Sequence, residues 1–233
     1  MKVVLAVLFF SAAILAIQSC TSNEIGNSKD VNPETVFVGY NVSYTDGTDS
    51  LECTAQFRFA GQNGTTLVLT DPSAIRLDGK KLAVDSTEFD GAFYRYTSKP
   101  DAFSGNHEWE YTDINNRTYK ESFSFQPIHF LTSLPATISK KDLEFKWQNG
   151  TAGQMLKLEI TDTASATPDI RHTLDASADH ILITAAELKS LDNGPLYIKF
   201  LVETERPLKN APREGGTFIF NYMVKQFEAT LAD

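Results

Sequence analysis

Beyond Pro33 the chain alternates apolar and polar positions with period two almost throughout, in short runs broken by turn residues roughly every ten positions. That spacing is the signature of an all-β sandwich or barrel. In the first half it predicts strands over 36–44, 51–59, 66–70, 74–77, 81–84, 89–97, 106–111 and 118–125. The turns between them are chemically explicit. Asp46-Gly47, Asn63-Gly64 and Asp78-Gly79 each set a residue tolerant of positive φ beside glycine, and Asn115-Asn116 closes a further turn. Phe123 and Phe125 end the last of these strands. Pro127 then removes a donor and restricts its neighbour, which predicts a domain boundary near Phe130.

In the second half, Leu143, Phe145 and Trp147 fall on one face of a strand, Asn149-Gly150 turns the chain, and a further strand carries Leu156, Leu158 and Ile160. Thr184-Ala185-Ala186-Glu187 reads as a capping box that opens a short helix. The closing strands are predicted over 196–204 and 217–231, and the alternation of the last changes phase between Tyr222 and Phe227, as a β-bulge would make it do. Alternation ending in Trp147, the turn after it, and Leu191 followed by Tyr197 resemble fibronectin type III modules across residues 135–231. The resemblance implies a core role for Trp147 and a corner built by Leu191 and Tyr197. The expected architecture is two tandem immunoglobulin-like or fibronectin type III-like sandwiches, over 35–130 and 131–233.

The first twenty residues follow a different rule. Lys2 precedes an unbroken apolar run of fifteen residues from Val3 to Ile17, the length of an export signal and short of the roughly 20 that span a bilayer. The run ends in Ile17-Gln18-Ser19-Cys20, which resembles the lipobox of bacterial lipoproteins, with Gln18 the one departure. The resemblance implies a signal peptide over 1–19 and lipidation of Cys20, whose sulfur would carry the diacylglycerol thioether and anchor the chain to a membrane. Thr21, where an aspartate would retain the protein at the inner membrane, implies the outer membrane, facing either the periplasm or the exterior. Residues 20–34 are expected to form a flexible tether, since 21–33 are mostly Ser, Asn, Gly, Asp, Glu and Lys. A coil of thirteen residues spans roughly 20 Å.

Composition narrows the functions. With 42% hydrophobic and 22% charged residues, the chain is neither collagenous nor disordered nor polytopic. Its formal charge of −9 becomes one unit more negative once the segment holding Lys2 is removed, so nucleic acid is disfavoured as a partner. Of the two cysteines, Cys20 is assigned to lipid, and Cys53 lies on the apolar face of a faultlessly alternating strand, where it acts as a small hydrophobe. His107, His129, His172 and His180 have no metal-site spacing, and the acidic stretch 85–91 lacks calcium-loop periodicity, so no metal or cofactor is expected. No nucleophile elbow or paired-acid arrangement is recognisable, and no catalytic residue is assigned.

His107, Trp109 and Tyr111 alternate on one strand and read as a core stripe. Asp49-Ser50-Leu51, Asp85-Ser86-Thr87 and Asp162-Thr163-Ala164 match an O-glycosylation pattern of some Gram-negative bacteria. The segment 206–216 is long for a hairpin loop and concentrates Arg206, Lys209 and Arg213 in an acidic chain, which reads either as a solubilising flexible loop or as a contact for an acidic protein surface or anionic glycan. The functional expectation is a non-enzymatic envelope lipoprotein acting as an interaction or structural module, with an envelope protein or glycan as partner. An alternative is a surface glycan-binding lipoprotein using Tyr94, Tyr96, Trp109 and Trp147; a fimbrillin-like pilus subunit is a third reading, weakened because no arginine precedes Arg58.

Overall fold

A computed structural model describes residues 24–162 and 169–233. Cys20, the signal segment and most of Asp162-Thr163-Ala164 lie outside the described residues. The first half holds β1 (Ile25–Asn27), β2 (Val36–Thr45), β3 (Leu51–Phe59), β4 (Thr65–Val68), β5 (Ala74–Leu77), β6 (Lys80–Lys81), β7 (Val84–Thr87), β8 (Gly91–Ser98), β9 (Gly105–Thr112) and β10 (Thr118–Phe125). After Pro127 come β11 (His129–Phe130), β12 (Thr137–Ser139), β13 (Leu143–Gln148), β14 (Met155–Asp162), β15 (Ile170–Asp175), β16 (His180–Ile183), the helix α1 (Ala185–Leu188), β17 (Gly194–Pro207) and β18 (Gly216–Ala232). The protein is an all-β sandwich fold, as the alternation predicts.

One sheet runs through both halves. Its central path is β1-β4-β3-β2-β18-β17-β14-β15, with β8 also on β3, β7 on β8 and β12 on β18. Two smaller sheets cover it, β10-β9-β5-β6 over the first half and β11-β13-β16 over the second. The seam is β18, which pairs parallel with β2 over Gly216–Met223 and antiparallel with β17 along its length. The boundary near Phe130 is therefore crossed by the last hairpin, whose tip completes the first half and whose base belongs to the second.

A single strand can serve two cores because of the bulge. Phe200 pairs with Lys225 but Leu201 pairs with Met223, so Val224 is the extra residue. Phe218, Phe220 and Tyr222 face the first core, and Phe227, Ala229 and Leu231 face the second. On β17 no residue is inserted, so the alternation runs on, with Leu196, Ile198, Phe200 and Val202 all buried on one side. Both small sheets thus cover the same face of the long one.

The first core is aromatic. Tyr40 stacks on Trp109 with ring centroids 4.9 Å apart and planes 3° from parallel, and Phe57 lies against Tyr111. Trp109 and Tyr111 are core, as the stripe predicted, and His107 stacks on Phe103. Cys53 is buried and unpaired between the sheets, and burial pushes its thiol far above the usual range. In the second core Trp147 is buried and its Nε1–H donates to the Ala176 carbonyl at 2.7 Å.

Two expectations are corrected. Residues 24–33 are not a free tether: β1 pairs parallel with β4, and the buried Ser28 Oγ accepts the N–H of Thr70. The corner implied by Leu191 and Tyr197 is half made, because Leu191 is buried but Tyr197, on the odd-numbered face of β17, is 39% exposed. The capping box forms as read, with Thr184 and Glu187 bonding each other's backbone N–H, and it opens a short helix of four residues.

Candidate functional site at the joint between the halves

Four segments meet where the long sheet passes from one half to the other: the β2–β3 turn, the stretch 99–102, the connector 127–130 and the bulge in β18. They enclose a groove of about 560 Å³. Concave joints between packed units are favoured places for ligands.

The β2–β3 turn is placed by Asp46. Its N–H donates to the Met223 carbonyl at 3.0 Å, and its carboxylate accepts the N–H of Gln226 and pairs with Lys225 Nζ at 2.9 Å. The turn therefore seals the backbone that the bulge disturbs. Gly47, at φ 82°, makes the reversal that carries Asp46 there.

On the opposite wall, Tyr222 Oη accepts the N–H of Ile128 at 3.0 Å and so pins the connector to β18. The Tyr44 ring leans on Tyr222, centroids 5.5 Å apart. Burial first, then Asp46, Asp101 and Asp49, raise the Tyr44 phenol, and burial raises that of Tyr222 further. Both are neutral hydroxyls at physiological pH. His129 Nε2 lies 3.2 Å from Asp101 Oδ1, joining connector to first half. Lined also by Asp49 and Lys99, the groove offers carboxylates, amines and a phenol. It can recognise a polar or mixed-charge ligand by hydrogen bonding. Among the described residues no three His, Cys, Asp or Glu side chains gather to hold a metal.

The predicted partner loop is partly dismantled. Arg206 belongs to β17, stacks over the Phe218 ring at 4.6 Å and pairs with Glu121, a carboxylate almost wholly buried in β10. Glu121 Oε2 also accepts the Lys209 N–H at 2.9 Å. Further on, Glu34 takes the N–H of Arg213 on its carboxylate and that of Glu214 on its carbonyl. Gly216 passes so close to Val38 that an added Cβ would stand 2.3 Å from that carbonyl oxygen. The segment is a docked strap. Of its three cations, Lys209 and Arg213 keep exposed side chains, and Arg206 is spent internally.

The aromatics considered for sugar binding fare similarly. Tyr94, Trp109 and Trp147 are buried, and Tyr96 is half-covered against Phe103 and beneath Lys80. They form no exposed platform. Of the glycosylation-type triplets, Ser50 and Ser86 are exposed. Sequence reading missed the groove, because none of its four segments is unusual alone. The Asp46-Gly47 turn and Pro127 were its nearest signals.

No family model and no curated protein sequence matches the chain. Several solved structures show a distant likeness to it. A two-immunoglobulin-domain structure of DIP-gamma is 8% identical over 80% of this chain and 94% of its own, with a TM-score of 0.23. A tetra-tandem repeat from the extending region of a large adhesion protein is 15% identical over 84% of this chain, with a TM-score of 0.28; this chain spans 49% of it. A mixed-linkage glucan-utilisation protein of Bacteroides ovatus, SGBP-B, in complex with a heptasaccharide, is 13% identical over 89% of this chain and 65% of its own, with a TM-score of 0.21. Likeness this distant carries no argument about function. The sandwich assignment stands on the strand pairing itself.

Proposed function

We propose that the chain is a non-enzymatic envelope lipoprotein that works as an interaction or structural module, anchored at the outer membrane through a lipidated Cys20. One observation carries the modular part of this reading: a single sheet is threaded through both halves by β17 and β18, so the halves are joined by main-chain hydrogen bonds as well as by a linker. A body built this way resists bending and suits a spacer or presenting element. Groups that could have done chemistry serve structure instead, as with the buried Cys53 thiol, the Glu121–Arg206 pair and the two indoles. The proposed partner surfaces are the joint groove and the exposed cations Lys209 and Arg213.

Two experiments test it. Cys20→Ala should abolish incorporation of labelled palmitate and leave uncleaved precursor; a variant still labelled would sink the anchoring. The double variant Lys209→Glu, Arg213→Glu, which spares Arg206, should fold normally and reduce recovery of envelope partners from native membranes. Unchanged recovery would remove the strap from the interface.

A further inference from the structure

The outer face of the long sheet in the first half carries a pit that the fold does not require. Alternation puts Val38 and Tyr40 in the core, so Phe37, Gly39 and Asn41 of β2 face outward. Gly39 lies between Gln56 of β3 and Thr217 of β18. Its φ is outside the left-handed region, and a Cβ built there would touch only the Gln56 carbonyl oxygen, at 3.8 Å. Neither backbone conformation nor crowding calls for glycine. A glycine mid-strand costs about 0.5–1 kcal/mol against alanine and characteristically marks a place where something else approaches the backbone.

What surrounds it is chemically specific. The pit, about 260 Å³, is lined by Asn41, Gln56, Arg58, Gln62, Asn63 and Thr217, with Phe37 and Ile219 as apolar walls. A second hollow of about 210 Å³ continues it across β3, sharing Thr54 and Gln56. Asn41 Oδ1 is buried without a hydrogen-bond partner, an acceptor lacking its donor. Arg58 makes no direct ion pair among the described residues, and the nearby Asp90 carboxylate acts on it only through space. Arg58 donates through Nε and Nη2 to Gln56 Oε1 and through Nη1 to the Gly64 carbonyl, three of its five N–H groups. The Gln56 amide is itself held by the Asp90 and Ala92 carbonyls. The guanidinium is thus fixed in place by neutral oxygens, half-buried, with two donors left over. Arg117 and Arg206 meet carboxylates directly, whereas the Arg58 guanidinium makes no such contact and keeps donors for a ligand.

We propose that this pit binds one carboxylated ring of an acidic polysaccharide, its carboxylate on Arg58 and its hydroxyls on Asn41 and the flanking amides and Thr217. Side-chain amides and hydroxyls crowd this small pit, which suits the several hydroxyls of one sugar ring better than the single N–H and C=O that each peptide residue brings. The net negative charge of the chain does not forbid this, because charges beyond about 8 Å are screened at physiological salt. The assignment names a ligand class for the interaction module proposed above and rests on that reading. The palmitate and strap experiments do not involve this face, so the two can fail separately.

The test is calorimetric titration of the purified full chain with tetragalacturonic acid, its methyl ester and neutral maltotetraose. The acid should bind, and the ester and maltotetraose should bind at least about tenfold more weakly, as expected for loss of a charge-assisted hydrogen bond. Gly39→Val should fill the pit, keep or raise the melting temperature and abolish binding; Gly39→Ala, one methyl, carries the same test should valine disturb the strand. Arg58→Gln should reduce the acid to the affinity of the ester. Absence of binding, equal affinity for acid and ester, or indifference to the Gly39 variants would overturn the proposal. Binding of polyglutamate instead, with the same dependence on Gly39, would overturn it in favour of an acidic protein segment.

Discussion

Arg206 Nη1 lies 2.7 Å from Glu121 Oε1, so the two meet as an ion pair while the other carboxylate oxygen takes the backbone N–H of Lys209. The carboxylate side chain is 1% exposed and the arginine 29%. This contact ties the tip of the last hairpin to the small sheet of the first half. It also explains why a cation that looked available in sequence is not.

Removing the cation strands a buried charge. Arg206→Met is expected to cost about 3 kcal/mol or more, whereas Arg206→Met with Glu121→Leu should recover most of that loss, since an apolar replacement of a buried pair is often neutral. Urea denaturation of the three proteins decides it. A single variant within about 1 kcal/mol of wild type would mean that Glu121 is easily solvated.

Cys53 should be inert in the native state. It is buried, and burial first, then Asp78 and Glu52, hold its thiol protonated well past neutral pH. Ellman's reagent is expected to react only after denaturant is added, and reductant should not move the melting temperature. Cys53→Ser should cost about 1–3 kcal/mol by burying a hydroxyl among apolar neighbours. Fast labelling without denaturant would contradict the packing.

Unfolding should be a single transition. Because β18 belongs to both cores, neither half can open without breaking the other's sheet. Thr184→Ala, which removes the cap of α1, should lower that shared transition by about 1 kcal/mol. Two resolved calorimetric peaks, with only one displaced by the mutation, would show that the seam is weak.

The same cap gives stability an acid dependence. Glu187 accepts the Thr184 N–H and hydroxyl, each at 2.8 Å, and pairs with His172; these contacts hold its carboxyl below the usual range. A depressed folded pKa means stability that is present above the unfolded value of about 4.3 and is lost as pH falls through the folded one. The destabilisation of Thr184→Ala should therefore be full near neutral pH and shrink in acid, and Glu187→Gln should remove this part of the acid dependence. Thermal melts across that range test it. A Thr184→Ala effect constant with pH would break the link.

The all-β class, most strand positions, the core roles of Cys53, Trp109 and Trp147, the capping box and the bulge in the last strand were legible because each is written within a few neighbouring residues. Period-two alternation sets which side chain faces inward, Asp-Gly and Asn-Gly set where the chain reverses, and a broken alternation marks an inserted residue. Strand partnership has no such local record. Nothing around Val38 or Thr217 announces that β2 and β18 pair in parallel, so Pro127 looked like the end of a domain when the sheet was to close over it. The same holds for Ile25–Asn27, too polar to read as a strand until β4 supplied its hydrogen bonds. Arg206, Lys209 and Arg213 looked alike in a line of sequence. Only the packed chain decided which charge met Glu121, which stayed in water, and that Arg58, inconspicuous on an alternating strand, would face a hollow opened by a glycine on its neighbour.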